Sequence, residues 1–181
     1  DTRSLMAGLE LIPARRVPYR GLYLEELDLD AVIRRGPATA IVDDYAHANP
    51  PESRNPHRWQ DVDELLDAGI NVLSTLDIQH LASLTDVVSS ITSVRPTETV
   101  PDEVARQAGQ IQLVDISPEL LRQRLADGKI VPADRVDAAL ANYYRPGNLA
   151  ALRALARCHL AEETSAAIRW SRFMMRPLLQ R

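Results

Sequence analysis

Two adjacent carboxylates, Asp43 and Asp44, follow a short apolar run, Ala40-Ile41-Val42, and open a loop carrying Tyr45, His47, Asn49, Arg54 and Arg58. A hydrophobic strand ending in acids has the form of a Walker B element, whose first carboxylate holds Mg²⁺ at a nucleotide phosphate. Guanidinium groups such as those of Arg54 and Arg58 grip phosphate or carboxylate. The same pattern also suits strand-end acids that close a loop, and isolated loop arginines are usually solvated. His47, His57 and His80 fall near the same loops. Neither an HExxH motif nor Cys/His spacing accompanies them, so structural hydrogen bonding is the better account of each.

The elements that would position these residues are legible from residues 38–81. An apolar run over 38–43, a helix begun by Asn55-Pro56 and a second apolar run over 70–76 read as strand, helix, strand of a parallel sheet. Ligands of such sheets sit beyond the carboxyl ends of the strands, where Asp43, Asp44 and their loop would lie. The helix is read as burying Trp59, Val62, Leu65 and Leu66, exposing Asp61, Asp63 and Glu64, and stopping at Gly69.

On either side the pattern continues. Residues 2–8 read as the end of a helix stopped by Gly8, 16–19 as a short edge strand containing Pro18, and 24–35 as a helix ended by Gly36-Pro37. After 76 come a helix with Ile78, Leu81, Leu84, Val88 and Ile91 on one face, a short helix over 101–107 and a strand over 111–116. Ser117-Pro118 starts a helix that runs to Gly128. Past Pro132 the strand signals stop: 133–144 is helical, and Asn148 caps a long arginine-rich helix with Leu149, Leu152, Leu155, Leu160, Trp170 and Met174 near one stripe, ended by Pro177. The fold class is α/β, a mostly parallel sheet flanked by helices, with residues 1–145 as the α/β domain and 146–181 as a helical extension or linker.

Composition removes several functions. Of 181 residues 45% are apolar and 25% charged, ordinary for a soluble domain, and the net charge of −4 gives no global attraction to nucleic acid. One cysteine, Cys158, forms no internal disulfide and fits a reducing compartment. No apolar run approaches the roughly eighteen residues of a membrane span. The chain opens on Asp1-Thr2-Arg3, which suits a fragment or a processed chain. Lys129 is the only lysine, with no glycine five residues before Gly128 and no hydroxyl at Ile130, so these residues contain no P-loop. A Gly-x-Ser-x-Gly elbow is also missing, so hydrolase chemistry has no support.

The chain resembles the N-terminal cytoplasmic region of the KdpD family of bacterial potassium-sensor histidine kinases. The resemblance rests on Tyr19-Arg20-Gly21, Leu24 to Asp30, Val42-Asp43 with Ala46-His47 and Asn49, Arg58 to Val62, Ala68-Gly69-Ile70 and Gln79-His80-Leu81. It continues through Glu98 to Asp102, Leu113-Val114-Asp115, Gly128-Lys129 and Gly147-Asn148-Leu149, covering about residues 2 to 160 in order. It implies a P-loop-NTPase-like domain whose P-loop lies upstream of Asp1, within a two-component sensor that answers potassium limitation or osmotic stress. It also implies ATP and Mg as cofactors, with Asp43, Asp44, His47 and Asn49 at the nucleotide and Asp43 meeting Mg through water. Arg54, Arg58, Gln79 and His80 become candidate phosphate or partner contacts. The implied partners are the sensor's other domains, the response regulator or a homodimer partner, and no nucleic acid. The implied location is cytoplasmic, at the cytoplasmic face of the bacterial inner membrane.

Departures from the family pattern matter. Asp44 stands where Glu is usual, one methylene short for activating water, although it is the one catalytic candidate. Pro50-Pro51-Glu52 replaces a more flexible stretch and stiffens the loop. The phosphoacceptor histidine and the kinase ATP lid are not among these residues, so this chain alone should phosphorylate nothing. Two readings follow: a regulatory module that binds nucleotide once a P-loop is present, or a stand-alone interaction module that has lost ATP binding.

Overall fold

Strand β1 (Arg15–Tyr19) pairs antiparallel with β2 (Leu22–Glu26) as a hairpin, Tyr19 opposite Leu22 and Arg15 opposite Glu26. Arg20 and Gly21, both at positive φ (48° and 81°), make the two-residue turn whose twist suits a tight hairpin. In this computed structural model residues 6–175 are described, with side chains as far as Glu162. The helix end expected over 2–8 lies partly outside the described residues, as do the side chains of Trp170 and Met174 and the stop at Pro177.

The helix expected over 24–35 is corrected in its first part. Leu24 and Glu26 alternate inward along β2, and cross-strand pairing with β1 overrides the helical spacing. Helix α1 (Leu29–Arg35) starts only after Asp28, whose carboxylate accepts from the Ala31 N–H at 2.9 Å. It ends at Gly36 in the left-handed region, its N–H returned to Val32 and Ile33.

Next, β3 (Thr39–Val42), α2 (Arg58–Asp67) and β4 (Asn71–Ser74) form the expected strand, helix, strand, the two strands parallel with Ile41 opposite Leu73. His57, not Asn55, precedes α2, and the Gln60 side chain accepts from its N–H at 3.1 Å. The inner face of α2 is also one residue out of phase with the expectation. Asp61, Val62 and Leu65 are buried, whereas Leu66 is 51% exposed. Positions 58, 61, 62 and 65 share one side of a 3.6-residue repeat, so Arg58 and Asp61 join the interior at the N-terminal end of the helix. Gly69 at φ 80° then turns the chain into β4. Leu29, Val32, Val42, Val62, Leu65 and Ile70 make the core, with Ile12, Leu27, Ile33, Ala40, Tyr45 and Val72 packed against it. The opposite face of the β3–β4 pair leaves Ile41 66% and Leu73 61% exposed.

Among the described residues the mostly parallel sheet therefore reduces to one parallel pair and one antiparallel hairpin, in a mixed α/β fold. Contacts divide the chain into two units: residues up to Ala82 with Thr97–Val100, and the remainder. In the first, Val100 bridges Leu81, and its N–H donates to the His80 carbonyl at 2.7 Å.

The second unit is helical: α3 (Thr85–Thr92), α4 (Asp102–Arg106), α5 (Pro118–Ala126), α6 (Val136–Ala141) and α7 (Pro146–Met175). Where one helix was expected from Ile78, two 3₁₀ turns, Ile78–His80 and Ala82–Leu84, precede α3. Ser117 caps α5 as expected, its hydroxyl accepting from the Leu120 N–H at 3.2 Å. The strand expected over 111–116 does not form; Val114 is 88% exposed, and an apolar run without a neighbouring strand has no ladder to join. Asp115 instead receives both Arg153 Nε (2.6 Å) and Nη2 (2.7 Å) from α7. Asn148 is not the cap of α7, which begins at Pro146; its amide donates back to Asn142 and Tyr143 carbonyls. Among the described residues Val88, Leu125, Leu149 and Leu152 are the unit's buried apolar residues. Among the described residues no helix is long and apolar enough to cross a membrane.

Candidate functional site

Asp43 and Asp44 stand exposed immediately past the carboxyl end of β3. Thr75, just past the end of the paired β4, holds both. Its hydroxyl donates to Asp43 Oδ1 and accepts from the Asp44 N–H at 3.1 Å, while its carbonyl accepts from the Tyr45 N–H at 2.9 Å. Asp44 adopts φ 58°, a left-handed conformation that Asp tolerates better than most residues. The two carboxylates are thus presented by a three-bond clamp between parallel strand ends.

The loop then folds back on itself. The Arg58 N–H donates to the His47 carbonyl (2.9 Å) and the Asn49 N–H to the Pro56 carbonyl (2.9 Å). Burial, with the charge of Asp63 second, pushes the half-buried Tyr45 phenol up to about 12, so it stays protonated at neutral pH.

Beneath this loop lies a buried polar network. Glu26, 9% exposed at the end of β2, receives Arg58 Nη2 at 2.8 Å and has His47 Nε2 at 3.1 and 3.2 Å from its two oxygens. Arg58 Nη1 also donates to the Asp43 carbonyl at 3.3 Å, joining the network to the strand-end acids. Asp61, 7% exposed, accepts from Asn49 (2.7 Å) and Asn55 (2.9 Å), and Arg58 Nε lies 3.8 Å from it. Asn55 continues to Glu64 (2.7 Å), and Arg54 joins Glu64 (2.8 Å) to Asp30. The Asn55 amide bond, against burial and aided by Arg54, holds Glu64 below the usual carboxylate range. Buried carboxylates persist only when paired and hydrogen-bonded, and both Glu26 and Asp61 are. Glu26, Asn49, Arg54 and Asp61 also line a shallow cleft with Arg15 and Leu29.

The third part is Glu98, which lies in Thr97–Val100. Its carboxylate accepts from the Ala48 N–H at 2.9 Å and approaches His47 Nδ1 at 3.8 Å, and its carbonyl is 2.8 Å from His80 Nδ1. Gln79 Nε2 sits 3.2 Å from His80 Nε2.

All eight sequence-predicted residues therefore connect, directly or through one or two neighbours. Asp43 and Asp44 share Thr75; His47, Asn49, Arg54 and Arg58 share the carboxylate network; Gln79 and His80 join through Glu98. Both arginines are already ion-paired to carboxylates of this unit. Sequence reasoning missed Glu26, Thr75, Asp61 and Glu98. A helical reading of 24–35 hid the inward alternation of β2, and the phase error in α2 put Asp61 in solvent. Among the described residues no three His, Cys, Asp or Glu side chains group to hold a metal ion.

Comparison with known proteins agrees with this sequence pattern over nearly the whole chain. The family model KdpD, described as "Osmosensitive K+ channel His kinase sensor domain", matches residues 1–164. The chain belongs to the KdpD family. Sensor protein KdpD of Mycobacterium tuberculosis is 56% identical over 162 residues, 90% of this chain and 19% of that protein. The Escherichia coli K12 sensor protein KdpD is 46% identical over 169 residues, 93% of this chain and again 19% of the relative. A putative sensor protein KdpD of Synechocystis is 43% identical over 156 residues, 86% of this chain and 42% of that protein. The KdpD-family chain thus spans about a fifth of the length of the first two relatives and under half of the third.

Proposed function

We propose that this KdpD-family chain is a cytoplasmic regulatory module of a sensor histidine kinase, and that it binds ATP with Mg²⁺ when a phosphate-cradling P-loop supplied from outside these residues completes the site. The observation that carries the reading is the clamp of Thr75 on exposed Asp43 and Asp44 at the carboxyl end of a parallel strand pair. Fit to the ion is tested by the donor set. Two strand-end carboxylates beside a hydroxyl suit a hydrated Mg²⁺, which keeps several waters and binds through one or two acids plus phosphate. Asp43 would hold it through water, and the ion would neutralise phosphate charge. The open face bearing Ile41 and Leu73 supports the same reading, because parallel sheets are ordinarily covered on both faces.

In this proposal the chain's own residues transmit the state of the site. The loop from Asp44 to His57 is tied to α2 through Arg58 and to Thr97–Val100 through Glu98. A phosphate-dependent shift at Asp43 would therefore reach both, and through them the sensor's other domains, which set kinase and phosphatase activity toward the response regulator. The test is ATP binding by the protein carrying its natural flanking sequence, with and without Mg²⁺. Asp43→Ala should abolish the Mg²⁺-dependent part of the affinity. Unchanged Mg²⁺-dependent binding refutes the assignment.

A second reading, an interaction module without nucleotide, draws on two observations. Arg54 and Arg58 are already neutralised by carboxylates, and the Synechocystis relative carries the matched segment in a protein less than half as long as the Mycobacterium one. The open reading frame separates the two: a Gly-x-x-x-x-Gly-Lys-Ser/Thr upstream of Asp1 ends the second reading.

A further inference from the structure

The β1–β2 hairpin takes no part in the site except through Glu26 and Arg15 at its base. Val17 (3% exposed) and Glu26 (9%) are its buried residues, while at the tip Leu22 is 70% and Tyr23 64% exposed. An aliphatic side chain held that far into solvent between two tyrosines is not explained by the core.

The charge is as one-sided as the apolar character. Arg15, Arg16 and Arg20 all lie on the hairpin, all exposed, and Glu25, opposite Arg16, is its one exposed acid. Among the described residues none of the three guanidiniums forms an ion pair with a carboxylate. Instead Arg16 sits over the Tyr23 ring, 4.8 Å from its centroid, and Arg20 over Tyr19 at 5.1 Å. The Arg20-Gly21 turn keeps the tip narrow.

We infer that this hairpin tip docks on an anionic lipid bilayer, Leu22 and the Tyr19 and Tyr23 rings entering the interface while Arg16 and Arg20 meet the headgroup phosphates. Amphipathic rings flanking an aliphatic residue are the side chains that settle at a membrane–water boundary, and arginines beside them add attraction to negative headgroups. The chain's net charge of −4 does not oppose this, since only charges within about 10 Å of the surface are felt at ordinary salt. Single-stranded nucleic acid is the weaker match. Bases need open aromatic faces to stack on, and here guanidinium groups already cover one face of each tyrosine. Leu22 would also find no use in such a complex.

The experiment is flotation of the whole chain with vesicles of phosphatidylcholine alone and of phosphatidylcholine with roughly one phosphatidylglycerol in three. Binding is expected only to the anionic vesicles and should weaken as salt rises. Each arginine is worth about fivefold in partitioning, so R16Q/R20Q should lower it about twenty-five-fold. Leu22→Ser, at an exposed position that leaves the fold intact by circular dichroism, should lower it about tenfold. No binding to anionic vesicles overturns the inference. So does binding that survives the double arginine change, or that ignores both Leu22→Ser and Tyr23→Ser, which would mark plain electrostatic adsorption elsewhere. Tighter binding to a single-stranded RNA oligonucleotide with the same arginine dependence would overturn it in favour of nucleic acid.

Discussion

Replacing Arg58 by methionine tests whether the polar network under the loop is a coupled unit. Its side chain is 12% exposed and that of its partner Glu26 10%, with Nη2 and Oε2 2.8 Å apart. Methionine keeps most of the packing and removes the charge, leaving the Glu26 carboxylate buried with only His47 beside it. Breaking a buried pair from one side costs about 3–5 kcal/mol. Because His47 still offers one hydrogen bond, the lower figure applies, about 3 kcal/mol. With urea m-values of about 1–3 kcal/mol per molar for small domains, the midpoint should fall by about 1–3 M. Trp59, adjacent to Arg58, reports the transition by fluorescence once Trp170, the only other tryptophan, is changed to phenylalanine. Glu26→Leu should also destabilise, by stranding the guanidinium. The double variant should cost less than the two singles together by more than about 0.5 kcal/mol, the ordinary limit of additivity for separate sites. If Arg58→Met costs under about 1 kcal/mol, or if the singles simply add, the network is surface decoration and the reasoning fails.

Other expectations follow from single features. Leu65, fully buried in the first unit, should lose about 3 kcal/mol as alanine in the same urea assay. Gly69→Ala meets no neighbouring atom within 4 Å but must hold φ 80°, so it should cost about 1–2 kcal/mol from backbone strain alone, with Gly69→Asn less damaging. Thr75→Val removes the hydroxyl shared by Asp43 and Asp44 and should speed hydrogen exchange at the Asp44 amide; unchanged exchange would mean the clamp holds nothing. In the second unit, burial raises the Asp102 carboxyl, but Ser83 hydroxyl and amide bonds with the Arg106 and His159 charges outweigh it, leaving Asp102 below its ordinary 3.8. A depressed folded value means stability present above 3.8 and lost as pH falls through the lower folded value. Thermal unfolding below pH 3.8 should therefore show an acid-sensitive loss that Ser83→Ala shrinks.

Local pattern carried much of this fold. Ala40 to Val42 ending at Asp43, the helix and glycine stop that follow, and Ser117-Pro118 each announce their element within a few residues, since caps, turns and apolar periodicity act over one helical turn or one strand. The misreadings share one cause. Whether 22–26 is strand or helix is decided by β1 lying alongside, and whether 111–116 becomes a strand depends on a neighbour it does not have. The site divides in the same way. By itself the sequence determined that acids stand at a strand end beside a loop rich in His, Asn and Arg, because those residues are contiguous. Only the tertiary structure decided that Glu26 lies under that loop, 21 residues from His47 and 32 from Arg58 along the chain. Pairing across such distances is set by which faces the core buries, and no short window of residues records it.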